Sequence, residues 1–266
     1  MIPTSIDGTD ITGATIDGTD VQEITVDGDV VFSAGPSNLP VAYSNLVAWY
    51  PFDAAEYGGS NADDVTAIIG GSGDDTAFDG TVSGAAFESS GGGTDINAGA
   101  NSGAFRFDGS DDYINLSGGT DLNFDAFTLT AWINRDDSTP SNMRVFGKGA
   151  NEDYQLTFES NADVFKTYIS NSAFEHNDTP PTSWTHVSLR FDDAANEVII
   201  GVDKDYDTFS TTASPQDTSE DLYIGARQDE QFTTFFDGLI DDARIYNTAL
   251  SDAQLNQIQD NTPHPS

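Results

Sequence analysis

Hydrophobic positions along this chain recur mostly at every second residue. In the stretch 127–134, Phe127, Leu129, Ala131 and Ile133 alternate with Thr128, Thr130, Trp132 and Asn134, the period of a strand with one buried face. The same reading predicts strands at 46–52, 104–107, 113–116, 145–148, 154–159, 164–170, 184–191, 197–202, 222–226 and 239–246. Clusters of turn-forming residues separate these runs. Many short strands with such spacing predict an all-β, antiparallel sandwich of the jelly-roll kind. One short helix is predicted near the end of the chain. There Ser251 suits a cap, Asp252 suits the positive end of the helix dipole, and residues 253–259 tolerate helix.

The first segment follows another pattern. Ile6-Asp7-Gly8-Thr9-Asp10 recurs as Ile16-Asp17-Gly18-Thr19-Asp20 and, more loosely, as Val26-Asp27-Gly28-Asp29-Val30, a period of ten residues. Asp-Gly between β-branched residues closes tight turns, because Gly tolerates positive φ. Residues 2–33 therefore read as short strands with too few large apolar side chains for a core of their own. Such a sheet needs a partner, so it is expected to pack against copies of itself or another protein. A Gly/Pro/Ser linker follows. Residues 54–103, rich in Gly, Ser, Asn and Asp, read as a long functional or mobile loop. The expected organisation is an anchoring β-repeat module over 1–35, a linker over 36–44 and a jelly-roll binding domain over 45–262.

Charge changes the picture next. The chain has 45 Asp and Glu against 9 Lys and Arg, a net charge of -36 over 266 residues. At ordinary ionic strength this charge repels itself; in molar salt the Debye length falls to about 3 Å and screens the repulsion. The composition points to a hypersaline habitat. Hydrophobic residues at 37% and aromatics at 11% supply a core, which excludes a disordered acidic chain. A polyanion without a basic patch is not expected to bind nucleic acid. There is no cysteine, hence no disulfide framework or thiolate metal site. No apolar run reaches membrane-spanning length, so no membrane insertion is expected. The first residues carry no signal-peptide pattern, which suits a protein that leaves the cell within a particle assembled inside it.

Six phrases, in order across about residues 45–260, carry a resemblance. They are Leu46-Val47-Ala48-Trp49-Tyr50-Pro51-Phe52-Asp53, Asp79-Gly80-Thr81-Val82-Ser83-Gly84-Ala85, Phe105-Arg106-Phe107-Asp108-Gly109-Ser110-Asp111-Asp112-Tyr113-Ile114, Trp184-Thr185-His186-Val187-Ser188-Leu189, Leu222-Tyr223-Ile224-Gly225-Ala226-Arg227, and Phe236-Asp237-Gly238-Leu239-Ile240-Asp241-Asp242-Ala243-Arg244-Ile245-Tyr246-Asn247. Together they resemble the LamG-like jelly-roll family within the concanavalin A-like lectin/glucanase fold. The resemblance implies two stacked antiparallel sheets, a binding module for glycans or proteins, and in many members a calcium ion. More loosely, acidic β repeats ahead of a lectin-like module resemble haloarchaeal virus structural proteins such as tail fibres or capsid protrusions.

Calcium requires six to eight hard oxygens. The resemblance places it where the first and last strands meet, with Asp53 and Asp241 as first ligands, Asp242 beside them, and Asp79 from the acidic loop that also holds Asp63, Asp64, Asp74 and Asp75. An ion there predicts that chelation lowers the melting temperature. Catalysis is not expected. The Glu-x-Asp-x-x-Glu strand of related glycoside hydrolases is absent. His176, His186 and His264 lie near no nucleophile elbow, and Gly91-Gly92-Gly93 lacks the lysine and helix of a phosphate loop. Phe174, Tyr206, Phe209, Phe232 and Phe235 stand in turn-rich segments; of these, Phe232, Phe235, Tyr206 and Phe174 are the candidate ligand platforms.

The expected function is that of a virion surface protein of a halophilic archaeal virus. Its first 35 residues attach it to the particle and to other copies, and its jelly roll holds a host-surface glycan or glycoprotein. The alternatives are a haloarchaeal cell-surface or secreted carbohydrate-binding module and, less favoured, a glycoside hydrolase.

Overall fold

The computed structural model describes residues 5–6, 9–17, 20–26, 29–33, 41–52, 61–62, 78–89, 92–93, 103–117, 119–136, 142–149, 153–159, 164–227, 234–262 and 264. The N-terminal repeat forms a four-stranded antiparallel meander of β1 (Ser5–Ile6), β2 (Thr9–Asp17), β3 (Asp20–Val26) and β4 (Asp29–Ser33). Pairing of β2 with β3 and of β3 with β4 places Asp17 opposite Asp20 and Val26 opposite Asp29.

The sandwich follows, with β5 (Leu46–Tyr50), β6 (Asn61–Ala62), β7 (Gly80–Ser83), β8 (Ala86–Glu88), β9 (Ala104–Asp108), β10 (Tyr113–Asn115) and β11 (Ala126–Arg135). Next come β12 (Arg144–Lys148), β13 (Tyr154–Glu159), β14 (Val164–Ile169), β15 (Ser172–Glu175), β16 (Thr185–Asp192) and β17 (Glu197–Val202). The chain ends with β18 (Asp205–Ser210), β19 (Leu222–Ile224), β20 (Asp237–Tyr246) and one helix, α1 (Asp252–Asn261). One antiparallel sheet runs β15-β14-β13-β12-β19-β10-β7-β6. The other runs β18-β17-β16-β11-β20-β9-β8, with β5 also on β20. Strand β20 organises the second sheet. It pairs β11 along one side, while β5 and β9 lie end to end along the other.

All eleven strands read from alternation are present. Five others, β6, β7, β8, β15 and β18, escape it. Most are very short, and β18 carries its large side chains, Tyr206 and Phe209, three apart. Odd spacing sends them to opposite faces: Phe209 packs on the main core and Tyr206 on the outer layer.

Between the sheets lies one apolar core that includes Phe105, Phe107, Leu129, Ile133, Phe146, Leu156, Leu189 and Ile240, all fully buried. Gly225, at φ 82°, lies against the Phe107 ring, where a Cβ would collide with it. A second layer closes the outer face of the β20 sheet. Leu255 and Ile258 of α1 pack there with Val41, Tyr246 and Leu250. Ser251 caps α1 through the predicted residue, and Gln254 returns the bond to the Ser251 backbone N–H. Among the described residues no helix is long and apolar enough to cross a membrane.

Candidate functional site

A β-bulge shapes the most polar corner. Thr130 pairs Arg244 while Trp132 pairs Asp241, so two residues of β20, Asp242 and Ala243, oppose Ala131 alone. Asp242 takes up the extra length at φ 48°, a left-handed conformation that Asp tolerates better than most residues. In a regular strand Asp241 and Asp242 would face opposite sides. The bulge turns both to the outer layer, which holds all three tryptophans of the chain.

Their oxygens meet donors there. Asp242 accepts from Trp49 Nε1 at 2.6 Å and from Arg244 Nε at 2.9 Å, and Arg244 also stacks over the Trp49 ring. Asp241 accepts the N–H groups of Gly93 at 3.0 Å and of Asp242 at 2.7 Å, and its Oδ2 lies 2.8 Å from Nε2 of His264. Burial pushes the Asp241 carboxyl up, and these donors oppose the shift. His186, on β16 beyond the intervening β11, is held down at about 3 by burial, with Arg244 and His264 adding to the effect.

This donor set does not fit calcium. Each oxygen of Asp241 and Asp242 already faces a protein N–H group, and the Arg244 guanidinium supplies at Asp242 the positive charge that a cation would bring. Asp79 precedes β7, in the opposite sheet. Asp53, Asp63, Asp64, Asp74 and Asp75 lie outside the described residues. An acidic group that the sequence reading passed over lies in the turn after β9, where the carboxylates of Asp108, Asp111 and Asp112 come within 4.8 Å of one another. It builds the turn: Asp112 accepts the Asp108 N–H and Asp108 the Ser110 N–H.

The aromatic candidates are packing residues. Phe174, on edge strand β15, pairs with Phe209 on edge strand β18 at 5.6 Å and closes one side of the sandwich. Tyr206 lies under the Arg190 guanidinium at 4.8 Å and donates its hydroxyl to Asn256 of α1. Phe235, 7% exposed, packs with Tyr223 and Ala226. Phe232 lies outside the described residues.

An open pocket of about 50 Å³ sits at one end of the sandwich. Three connections form it: Asn123, Phe124 and Asp125 ahead of β11; Asp193 in the β16–β17 turn; and Ser214, Pro215, Gln216 and Asp217 in the 11-residue connection from β18 to β19. Phe191, at the end of β16, contributes to its floor. The walls are tied together. Asp193 donates its N–H to the Asp125 carbonyl at 3.0 Å, Ser214 donates its hydroxyl to the Asp193 carboxylate, and Asn123 Nδ2 donates to the Thr218 carbonyl at 3.0 Å.

Behind the wall is a buried ion pair. Lys148 Nζ donates to Asp153 Oδ2 at 2.7 Å, to Asn123 Oδ1 at 2.7 Å and to Thr218 Oγ1 at 3.0 Å; neither charged side chain is exposed. Burial pushes the Asp153 carboxyl up, more than Lys148 and Thr218 pull it down. Lys148 and Asp153 flank the β12–β13 hairpin, so the pair pins two loops to a strand end. Alternation along the chain does not reveal this site, since its residues come from three loops distant in sequence. The local signals were Phe124 beside Asn123 and Asp125, and Ser-Pro-Gln-Asp at 214–217.

Two antiparallel sheets, a capping helix and a loop pocket at one end define a lectin-type sandwich. The family comparison agrees: the model of the Concanavalin A-like lectin/glucanases superfamily matches residues 108–256, and the chain belongs to that superfamily. No curated protein matches the chain. Among solved structures it is similar to domain 4 of AbnA, an extracellular arabinanase from Geobacillus stearothermophilus, in complex with arabinotriose. There the TM-score is 0.57 at 18% identity, over 80% of this chain and 98% of that one. A mutant Trypanosoma rangeli sialidase displaying trans-sialidase activity gives a TM-score of 0.60 at 18% identity, over 84% of this chain and 34% of the sialidase. This chain thus corresponds to about a third of that enzyme. The CBM40 of the Ruminococcus gnavus IT-sialidase, bound to α2,3 sialyllactose, gives 0.50 at 15% identity, over 58% of this chain and 95% of that one. At these identities the likeness is one of fold.

Proposed function

We propose that this chain is a recognition protein that holds a surface glycan, or the glycan of a glycoprotein, at the loop pocket of its lectin-type sandwich. The observation that carries the reading is the pocket's construction. Its three loops are cross-bonded and backed by the Lys148–Asp153 pair, so its shape exists before any ligand arrives, and such preorganisation favours binding. The solved relatives with bound arabinotriose and sialyllactose support a saccharide as ligand. The role is adhesion rather than catalysis. The buried carboxyls whose proton affinity is raised, Asp112, Asp153 and Asp241, all hold donors within the protein.

The setting we propose is the surface of a halophilic archaeal virus particle. The charge of -36 suits brine, and the strands β1–β4 pair among themselves in a repeat that suits attachment to the particle and to other copies. Repetition on a particle would make binding multivalent, so weak single contacts suffice. Mass spectrometry of purified particles from the source culture tests the setting, and absence of the chain from them removes it. The second reading, a secreted or cell-surface carbohydrate-binding module, is favoured by the arabinanase domain, which matches almost end to end. Glycan binding itself is tested on an oligosaccharide array in molar KCl.

A further inference from the structure

We infer that the loop pocket accepts the hydroxyl-bearing edge of an uncharged sugar and rejects acidic sugars; this rests on the glycan-binding reading above. The lining presents three carboxylates, Asp125, Asp193 and Asp217, and no Lys or Arg. The nearby cation, Lys148, is wholly buried and spends its hydrogens on Asn123, Asp153 and Thr218. Asn123 is likewise committed, its oxygen to Lys148 and its nitrogen to the Thr218 carbonyl. Asp125 and Asp217, both exposed, are left to accept hydrogens from outside, and the Gln216 amide can donate.

Ionised carboxylates only accept hydrogen bonds. Their natural complement is a group rich in O–H donors, and neighbouring hydroxyls on a sugar ring offer several at once. The same ring carries C–H surface, which suits the apolar part of the lining, Phe124 and Pro215. A carboxylate or sulfate on the sugar would instead meet like charge at contact distance. Molar salt removes long-range steering, with a Debye length near 3 Å, but it does not remove a contact between two desolvated anions. Discrimination by contact therefore survives in brine, and the hydroxyl–carboxylate bonds survive with it.

The test is an array of oligosaccharides printed in matched uncharged, amino, uronate, sialylated and sulfated forms, probed in molar KCl with the full chain and with D125N/D217N. Both side chains are exposed, and Asp125 joins the wall only through its backbone carbonyl, which the substitution keeps; thermal melts check that the variant folds. The expected result is retention of uncharged sugars by the native chain. The variant should bind them about tenfold to a hundredfold more weakly, the loss that goes with hydrogen bonds to charged groups, and should reject acidic sugars less strongly. Preference of the native chain for uronate, sialylated or sulfated forms would overturn the inference. So would equal binding by native chain and variant, which would leave glycan recognition standing at another surface. No binding to any form would remove the glycan reading itself.

Discussion

His264 is inserted between Trp132 and Trp184 with its Nε2 2.8 Å from Oδ2 of Asp241. The ring centroids lie 4.4 Å and 4.5 Å away, and the histidine side chain is 1% exposed. Its Nδ1 faces the Thr262 carbonyl at 2.9 Å. A carbonyl only accepts, so Nδ1 is the donor in that bond. The chain beyond α1 is thereby latched onto the outer layer, and Trp132 Nε1 donates to Thr262 Oγ1 at 2.8 Å to complete it. Replacement His264→Ala removes the ring and leaves Asp241 buried with fewer donors. A loss of about 2–4 kcal/mol is expected in chemical denaturation, with red-shifted tryptophan fluorescence. Unchanged stability and emission would show the latch to be idle.

His186 sets a pH limit. Its folded value of about 3 stands against an ordinary 6.5. Above pH 6.5 the ring is neutral folded or unfolded and contributes nothing to the pH slope. As pH falls from 6.5 towards 3, the unfolded chain takes up a proton that the fold refuses, and stability drops. At about 1.36 kcal/mol per unit, the loss reaches roughly 3–4 kcal/mol near pH 3.5. Asp112, Asp153 and Asp241, whose carboxyls are raised by burial, act with the opposite sign as pH falls. The difference between native chain and His186→Gln isolates the histidine. Their stability curves should run parallel above pH 7 and diverge below 6, with the native chain falling faster.

The Lys148–Asp153 pair behind the pocket predicts asymmetric mutant effects. Lys148→Met leaves a buried carboxylate and Asp153→Leu a buried ammonium, each expected to destabilise by about 3–5 kcal/mol; the double replacement should recover much of that loss. Hydrogen exchange should show the 211–221 connection opening in the single variants, because Thr218 loses its anchor. Additive losses in the double variant would refute the coupling.

At Asp241 and Asp242 the carboxylates already face Trp49, Arg244, His264 and backbone N–H groups. Chelation at constant molar salt is therefore expected to leave the melting temperature unchanged. A fall on chelation, restored by calcium, would show an ion at work.

Salt should matter more than calcium. Six of the nine cations, Arg135, Arg144, Lys148, Lys166, Arg190 and Arg244, are no more than 9% exposed. The surface is thus almost wholly anionic, and screening is expected to raise the melting temperature steeply from low salt to molar KCl. A flat dependence would contradict the brine reading.

Alternation and turn chemistry made the all-β class, eleven strands, the capped helix and the order of the family phrases legible, since each depends on neighbours within a few residues. What the sequence could not yield was the fate of particular side chains. Asp241 and Asp242 read as cation ligands because the bulge that turns both outward, and the Arg244, Trp49 and His264 that meet them, depend on strand pairing. Phe174, Tyr206 and Phe235 read as exposed platforms because the edges and helix that cover them come from elsewhere in the chain. The pocket was invisible for the same reason: Asn123, Asp193 and Gln216 are brought together by three connections. Periodicity is a local property written along the backbone, whereas a site is a coincidence of distant loops in space, and only the closed sandwich decides it.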